Sequence, residues 1–272
     1  TGSGLLGDPM SLSDACDEAN SNHTYYIKEG TYSGTFTIRG SGLVDAPVKF
    51  IGYKTLINDG GSYQPTRSQS LNADATELPL INGKIVATSE QCIIFKNLQI
   101  NVDAGQPGFD MNNLQVCENC YTWTGDMGFK ANDNDHRKIK LLHCFAKDMT
   151  NSGVRLYNKH HLIDDFYSCT SGAVSMDYYI SLYGGTDGHS QCVRNSTVDR
   201  NINATHTGHG IGFKGSGGIL EHSLVENCSI NNCGNGGFEF RHSTIKHNIG
   251  RNITIDSDTK GVNNRAIMFR DG

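Results

Sequence analysis

Six short segments between residues 128 and 270 place a basic residue or a tyrosine directly after an apolar residue. The segments are Gly128-Phe129-Lys130, Gly153-Val154-Arg155, Ser181-Leu182-Tyr183, Gly212-Phe213-Lys214, Glu239-Phe240-Arg241 and Met268-Phe269-Arg270. Because alternate residues of a β-strand face opposite sides, an inward apolar residue is followed by an outward side chain. The sequence therefore predicts an outward ladder that consists of Lys130, Arg155, Tyr183, Lys214, Arg241 and Arg270.

Five of the six ladder residues are basic, which indicates a surface that binds anions. Like charges stacked rung over rung repel one another, and such a column is easier to explain if an anionic polymer lies along it. The alternative is that outward Lys and Arg residues only keep the strands soluble and protect the sheet edges.

The ladder requires strands that stack in parallel, and a second repeat predicts this stacking. Its triplets are Asn97-Leu98-Gln99, Asn119-Cys120-Tyr121, His143-Cys144-Phe145, Ser168-Cys169-Thr170, Asn195-Ser196-Thr197, Asn227-Cys228-Ser229 and Asn252-Ile253-Thr254, spaced by 22, 24, 25, 27, 32 and 25 residues. Strands that keep register while turns absorb insertions are typical of a solenoid, with one coil for each repeat. The small or apolar middle residues then stack inside, and we expect their cysteines to be reduced thiols.

The ends of the chain differ from the repeats. Residues 11–20 have helical spacing with Ser11 or Ser13 as N-cap, and we expect this helix to cap the open end of the solenoid. The polar segment 62–76 is interpreted as a projecting loop. The prediction is one all-β domain over residues 1–272, a single-stranded parallel β-helix. Thr1 begins within a motif and Gly272 follows a ladder strand, so we expect that the natural protein could extend beyond either end.

The composition of the chain argues against several classes of function. A formal net charge of -5 and a pI of about 6.1 argue against a nucleic-acid binder. No apolar run is long enough to span a membrane. The nine cysteines lack zinc spacing. Sequons begin at Asn22, Asn195, Asn203, Asn227 and Asn252, and most are interpreted as by-products of the repeat rather than glycan sites.

Three stretches resemble the beginning of pectate-lyase-like β-helix proteins, a group that includes lyases of pectin, alginate and chondroitin. They are Met10-Ser-Leu-Ser-Asp-Ala-Cys, Tyr25-Tyr-Ile-Lys-Glu-Gly-Thr-Tyr and Ala46-Pro-Val-Lys-Phe-Ile-Gly-Tyr. The resemblance implies a right-handed parallel β-helix over nearly the whole chain.

Three shorter motifs resemble functional segments of these lyases, and the resemblance implies roles for individual residues. Gly210-Ile-Gly-Phe-Lys-Gly-Ser-Gly-Gly resembles the strand with the base lysine of family-nine pectate lyases, which implies Lys214 as the base. Gly125-Asp-Met-Gly-Phe-Lys resembles their calcium-binding strand, which implies Asp126 as a calcium ligand. Phe240-Arg-His-Ser resembles the Arg-His segment of family-six alginate and chondroitin lyases, which implies Arg241 as a partner of Lys214. The segment that matches the remaining calcium ligands, residues 151–155, contains no acid.

These residues suit the β-elimination of a uronide. Arginine can bind and neutralise a carboxylate, and lysine can act as a base if a neighbouring cation disfavours its charged form. Lys214 and Arg241 on adjacent coils would supply both effects, and His242, His209 and Tyr183 are candidate proton donors. Substrate-binding candidates are Lys130, Arg155, His209, Glu239 and Arg270. Calcium is the only candidate cofactor, at Asp126 with Asp133 and Asp135 nearby.

The resulting hypothesis is a secreted polysaccharide lyase that acts on an acidic, uronic-acid-containing glycan. Two alternatives stay open. A glycoside hydrolase on the same fold needs two carboxylates across a groove, and few acids lie on the ladder: Glu239, with Asp177 and Asp187 as weaker candidates. A non-catalytic adhesin or virion-associated spike segment would use the solenoid as a rod and would often be a trimer, whereas an enzyme could be a monomer.

Overall fold

The computed structural model describes residues 10–57, 65–131, 138–172, 176–183, 187–201, 208–214, 219–233, 236–241, 244–256 and 266–270, with only the backbone at 187–189, 268 and 270. One short helix and a long series of strands follow one another along these residues. They are α1 (Leu12–Asp17), β1 (Thr24–Lys28), β2 (Thr31–Thr37), β3 (Val48–Tyr53), β4 (Leu80–Val86), β5 (Ile93–Lys96), β6 (Gln99–Asn101), β7 (Pro107–Asp110), β8 (Val116–Glu118), β9 (Tyr121–Trp123), β10 (Met127–Ala131), β11 (Lys140–Leu142), β12 (Phe145–Lys147), β13 (Ser152–Tyr157), β14 (Leu162–Asp164), β15 (Tyr167–Cys169), β16 (Tyr178–Tyr183), β17 (Asp187–His189), β18 (Cys192–Arg194), β19 (Thr197–Asp199), β20 (His209–Lys214), β21 (Ile219–Glu221), β22 (Leu224–Asn231), β23 (Gly236–Arg241), β24 (Thr244–Lys246), β25 (Ile249–Asp256) and β26 (Ile267–Arg270).

The strands stack in parallel on three faces of one solenoid, so the predicted β-helix is confirmed. The first face contains β1, β3, β5, β8, β11, β14 and β18. The second contains β6, β9, β12, β15 and β19, and the third contains β7, β10, β13, β16, β20, β23 and β26. The long strands β2 and β4 bend from the second face to the third, and β22 and β25 bend from the first to the second. A short side sheet of β17, β21 and β24 follows the third face in the later coils.

Apolar side chains at the same phase of successive coils fill the interior. Phe50 and Phe95 stack on adjacent coils of the first face with ring centroids 5.9 Å apart, and Phe109 and Phe129 stack on adjacent coils of the third face at 5.1 Å. Phe95 and Phe109 meet across the interior at 5.4 Å. These rings are buried. Because parallel coils repeat about every 4.8 Å, like residues at one phase must meet. Stacked rings add attraction to the burial of apolar area.

The corner between the first and second faces is held by a column of residues with left-handed backbone. It contains Asn97, Asn119, His143, Asp165, Asn195, Asn227 and Asn252, with φ between 51° and 57°. Asparagine tolerates this conformation, and its amide can bond to the next rung. The side-chain amide nitrogen donates to the preceding amide oxygen at 2.8 Å from Asn119 to Asn97, 3.1 Å from Asn227 to Asn195, and 3.0 Å from Asn252 to Asn227. Three of the sequon asparagines therefore belong to this corner column, as expected if the sequons are by-products of the repeat.

One predicted triplet is out of register. The coil after His143 begins its triplet at Asp165-Phe166-Tyr167, since Phe145 pairs with Tyr167, and not at Ser168. The prediction failed because Asp and Phe replace the Asn and Cys of the neighbouring coils, while Ser168-Cys169 imitates them three residues later. Phe166 takes the inward position that the sequence assigned to Cys169.

All nine cysteines are free thiols, which agrees with the expectation of reduced side chains. Cys120 and Cys144 are fully buried in the interior column, where burial raises the thiol pKa well above its usual value. Burial also raises the pKa of Cys228 to about 11. These thiols stay protonated at neutral pH and act as small apolar side chains.

The helix α1 lies at the first coil, as predicted for a cap. The Ser11 hydroxyl accepts a hydrogen bond from the Asp14 amide at 3.0 Å and so caps the helix. Ala15 and Cys16 are buried in the main core, and the Arg39 amide donates to the Cys16 carbonyl just after β2. The helix therefore covers apolar side chains that the first coil would otherwise expose.

The segment predicted to project, residues 62–76, instead lies against the second face in its described part from residue 65. Leu71 packs with the buried rings of Tyr121, Trp123 and Phe145, and these rings point outward from the second face. The Lys147 ammonium donates to the Leu71 carbonyl at 2.8 Å. The expectation of a free loop was wrong because outward aromatic residues on this face require an apolar cover.

A glycine at the start of β13 tests this packing. A Cβ at Gly153 would lie 2.3 Å from the Ser168 hydroxyl oxygen and 2.7 Å from the Tyr179 carbonyl oxygen, whereas a Cβ at Gly172 would meet nothing within 4 Å. We expect Gly153→Ala to lower the free energy of unfolding by about 1–3 kcal/mol. Gly172→Ala is the control, with a change within about 0.5 kcal/mol. Urea unfolding followed by circular dichroism measures both, and equal midpoints would contradict the packing described.

Candidate active site

The structure divides the predicted ladder into two columns on the third face. One column runs through Lys130, Arg155, Ser181, Gly212 and Glu239. The other runs through Tyr157, Tyr183, Lys214, Arg241 and Arg270. The single ladder was therefore wrong between Arg155 and Tyr183, whose partners are Ser181 and Tyr157.

The error has a simple physical origin. In β16 both Ile180 and Leu182 are buried, and Ile180 is the register partner of Val154. Because side chains alternate with a period of two, a slip of two residues keeps every side chain on the same face. The sequence pattern fixes the facing of Tyr183 but not the rung partner on which it stacks.

Lys214 and Arg241 are register partners on adjacent coils, and both belong to the outward column. Arg241 is exposed at the end of β23. The backbone of Arg270 continues the column, but its side chain lies outside the described part of the chain. His242, a candidate proton donor, also lies outside the described residues. Lys214 and Arg241 are therefore basic residues on neighbouring rungs of one column.

The Lys214 ammonium is surrounded by aromatic and polar groups. It donates a hydrogen bond to the Tyr183 hydroxyl oxygen at 3.1 Å and lies 3.8 Å from the centre of the Tyr178 ring. The Asp177 carboxylate is 4.0 Å away. The Lys214 side chain is only 13% exposed, while the Asp177 side chain is 58% exposed. The ammonium is therefore held by neighbouring rings at the surface of the third face.

Tyr178 crosses two coils. Its ring stacks on the His209 imidazole with centroids 4.5 Å apart and an interplanar angle of 10°. Its hydroxyl donates to a carboxylate oxygen of Glu239, two coils further on. Burial, and then the hydrogen bond to Glu239, raise the pKa of Tyr178 well above its usual range. The hydroxyl therefore keeps its proton.

Glycine is required beneath this ring. Gly212 lies between His209 and Lys214 on β20, and a Cβ there would be 2.5 Å from Cε1 of Tyr178. The absent side chain leaves the space in which the Tyr178 ring lies.

His209 and Glu239 were predicted to bind substrate, and the structure places them below the surface. Glu239 is fully buried, and the His209 side chain is 10% exposed. His209 Nδ1 lies 3.7 Å from the Glu239 carboxylate. As described, these residues contact Tyr178 rather than the outer surface that a polymer could touch.

Arg155 lies on the flank of the site. Its guanidinium carbon is 5.3 Å from the centre of the Tyr183 ring, and it donates a hydrogen bond to the Asn151 side-chain oxygen at 2.5 Å. Tyr157 and Tyr183 stack with centroids 4.7 Å apart. Lys130 is separate, because it lies three coils before Lys214 and pairs with Asp110 at 3.8 Å.

Calcium binding at Asp126 finds little support in the donor set. The residues at the same phase on the next two coils are Asn151 and Asp177, and the Asn151 side-chain oxygen is already bonded to Arg155. Among the residues that the structure describes, no three His, Cys, Asp or Glu side chains are close enough to share a metal ion. Asp133 and Asp135 lie outside the described residues. Calcium at Asp126 therefore stays a prediction, and the proposed reaction does not depend on it.

Sequence reasoning missed Tyr178 and Tyr157, and it considered Asp177 only as a candidate acid of a hydrolase. Tyr178 and Tyr179 are adjacent, and a strict alternation assigns Tyr178 to the interior with Ile180. The strand bends at its beginning, so Tyr179 enters the core while Tyr178 stays outside. The available signal was Gly212, since a glycine at an outward strand position often marks a close approach of another group.

The fold and site geometry define the class as a right-handed parallel β-helix with a cationic, tyrosine-rich patch on one face. Among solved structures, the chain is similar to a polysaccharide family 6 lyase from human gut microbiota that is described as specific for mannuronic acid. The two are 14% identical with a TM-score of 0.52, over 94% of this chain and 64% of that enzyme. This chain therefore spans less than two thirds of that enzyme's length.

A second structure is a family 6 polysaccharide lyase from Pseudopedobacter saltans. It is 10% identical with a TM-score of 0.41, over 85% of this chain and 64% of the other. At 14% identity the likeness to the first enzyme shows the fold alone. No known protein family matches the sequence. No curated protein matches it either. None of the described helices is long and apolar enough to cross a membrane.

Proposed function

We propose that the protein is a secreted polysaccharide lyase that cleaves a uronic-acid-containing glycan by β-elimination at the third face. The observation that carries the proposal is the contact of the Lys214 ammonium with the Tyr183 hydroxyl at 3.1 Å, beside Arg241 on the adjacent coil. This contact supports the proposal, because the reaction needs a base, a proton donor and a carboxylate-binding cation on one surface.

The chemistry assigns one role to each group. The Arg241 guanidinium binds the substrate carboxylate and stabilises the negative charge that develops on it. Lys214, as the free amine, takes the proton from the carbon that bears the carboxylate. The C–H electrons form a C=C bond, and the bond from the next carbon to the bridging oxygen breaks. Tyr183 gives its hydroxyl proton to that oxygen and regains a proton from Lys214, so no water is consumed.

The structure favours Tyr183 over His209 as the donor. Tyr183 is partly exposed and already bonded to Lys214, while His209 is covered by the Tyr178 ring. A general acid must reach the leaving oxygen within hydrogen-bond distance. Arg155, beside the Tyr183 ring, is placed to bind the carboxylate of a neighbouring sugar.

Hydrolysis is less well supported by the described side chains. It needs two carboxyl groups that flank the scissile bond. Near Lys214, Asp177 is exposed but Glu239 is fully buried and bonded to Tyr178. This arrangement leaves one accessible carboxylate in the described site, which favours elimination.

The test is incubation with a panel of uronides, with and without a calcium chelator, followed by ultraviolet absorbance and mass spectrometry. Elimination gives a conjugated unsaturated sugar end. Hydrolysis gives a saturated end whose mass exceeds that of the elimination product by one water molecule. Binding on a glycan array without either product, together with a trimeric mass, would support the non-catalytic adhesin instead.

Removing the Tyr183 hydroxyl should slow the reaction. We expect Tyr183→Phe to lower kcat by about 10²-fold, because the leaving oxygen loses its proton donor, with little change in KM. Steady-state kinetics on the uronide that is turned over measure this. Tyr26→Phe, on the exposed surface of β1, is the control and should not change kcat. An unaltered kcat for Tyr183→Phe would remove this tyrosine from the reaction.

A further inference from the structure

We infer that Tyr178 is a positioning residue that fixes the Lys214 amine beside Tyr183, and that Glu239 and His209 serve to hold Tyr178 in place. The inference rests on the proposed function and extends it to residues that do not touch the substrate. Tyr178 is only 2% exposed, so it acts through its neighbours.

The Lys214 side chain needs to be restrained if its amine is to act as a base. A lysine has a flexible four-carbon chain and loses rotamer entropy when it is held in one geometry. The Tyr178 ring, 3.8 Å from the Lys214 nitrogen, gives this amine a fixed platform. The Tyr183 hydroxyl then completes the position with its 3.1 Å hydrogen bond. Two aromatic side chains from β16 therefore determine where the amine of β20 lies.

The Tyr178 ring is itself fixed by its surroundings. Four features of three coils constrain it: the bend that turns Tyr178 outward, the space above Gly212, the stacked His209 ring and the Glu239 carboxylate. Burial of a carboxylate is costly unless it is hydrogen-bonded. A fully buried Glu239 on the outer face is explained by its bond to the Tyr178 hydroxyl. An ordinary surface strand would not require this arrangement.

The position of the Tyr178 ring along β20 links its contacts to Lys214. Along β20, the ring lies over Gly212, with His209 on one side and Lys214 on the other. A ring that could tilt would carry the amine with it. Displacement of a reacting group by about 1 Å can cost about 10²-fold in rate. The His209 and Glu239 contacts prevent this tilt.

The test combines kinetics with a spectroscopic signal that needs no substrate. Protein grown with lysine labelled at the ε-carbon should show one proton signal shifted upfield by the ring current of Tyr178, assigned by its loss in Lys214→Arg. We expect Tyr178→Leu to return this signal to the position of exposed lysines. The same variant should lower kcat about 10- to 100-fold with KM changed less than about threefold.

Conservative and matched variants separate positioning from folding. Tyr178→Phe keeps the ring, so it should keep the shifted signal. Its kcat should be at least about tenfold higher than that of Tyr178→Leu. Tyr32→Leu removes a half-buried tyrosine from β2 at the other end of the solenoid and should change neither readout. If Tyr178→Leu does not fold, Gly212→Ala displaces the ring by a clash and should give the same changes.

The outcomes are distinct. A wild-type signal that is not shifted, or a shift that survives in Tyr178→Leu, overturns the inference. A signal that moves while kcat stays at the wild-type value also overturns it. Absence of turnover by the wild type on every uronide, with the shifted signal present and sensitive to Tyr178→Leu, sinks the proposed reaction but supports the positioning of Lys214 by Tyr178.

Discussion

Lys214→Ala is expected to abolish measurable turnover while glycan binding is largely retained. Loss of a positioned general base costs about 10²- to 10⁴-fold in kcat. Arg155 and Arg241 remain to bind carboxylates, so the dissociation constant for a non-cleaved oligosaccharide should change by less than about tenfold. Ultraviolet absorbance of the unsaturated product measures kcat, and isothermal titration calorimetry measures binding.

The matched control is Lys130→Ala. Lys130 occupies an outward position of the same face, but three coils away and paired with Asp110. Its removal should leave kcat within about twofold, because a residue three coils from Lys214 does not contact the reacting sugar unit. Equal losses in both variants would indicate that general positive charge, and not a base at Lys214, supports the reaction.

Phe213→Ala is expected to be the most destabilising single substitution considered for the third face. Phe213 is fully buried on β20 and stacks on Phe240 at 5.6 Å. Truncation of a buried phenylalanine removes transfer free energy and leaves a cavity, which together cost about 3–5 kcal/mol. Urea denaturation followed by circular dichroism gives the change in the free energy of unfolding.

Phe269→Ala provides the comparison in the same column. Phe269 stacks on Phe240 at 5.4 Å, yet it is 66% exposed at the last described coil. Because little area is buried there, its truncation should cost less than about 1 kcal/mol. A similar loss for both variants would contradict the assignment of Phe213 to the core and of Phe269 to an exposed position.

The sequence predicts the fold well because every coil of the solenoid repeats the same arrangement of inward and corner residues. Each coil presents an inward residue at the same phase, so Phe129, Val154 and Phe213 are recognisable without knowledge of their partners. The corner asparagines are recognisable as well, because few residues adopt left-handed backbone without strain. Where Asp165 and Phe166 replace the usual pair, the prediction slipped by three residues.

The candidate site is predicted in part. Lys214 and Arg241 each follow an inward phenylalanine, and the structure pairs Phe213 with Phe240 and Lys214 with Arg241, so their predicted alignment on adjacent coils is confirmed. Tyr183 is predicted to face outward, but a two-residue ambiguity assigned it the wrong neighbour. Tyr178 could not be placed, because its outward direction results from a bend at the start of β16 rather than from the alternating pattern.

The burial of Glu239, which was predicted to bind substrate, could not be predicted from the sequence either. Glu239 occupies an outward position of β23 and would be expected at the surface. It is covered because Tyr178 reaches across from two coils earlier, over Gly212. Such diagonal contacts depend on the absence of a side chain at an intervening rung, and a repeat pattern does not show them.

The most direct measurement is the mass spectrum of the products that the wild-type protein releases from a uronide polymer in water enriched in heavy oxygen. A lyase with Lys214 and Tyr183 in the proposed roles yields an unsaturated end and incorporates no solvent oxygen, and Lys214→Ala yields no product. Incorporation of heavy oxygen into the new end, or unsaturated product at the wild-type rate from Lys214→Ala, would contradict the account.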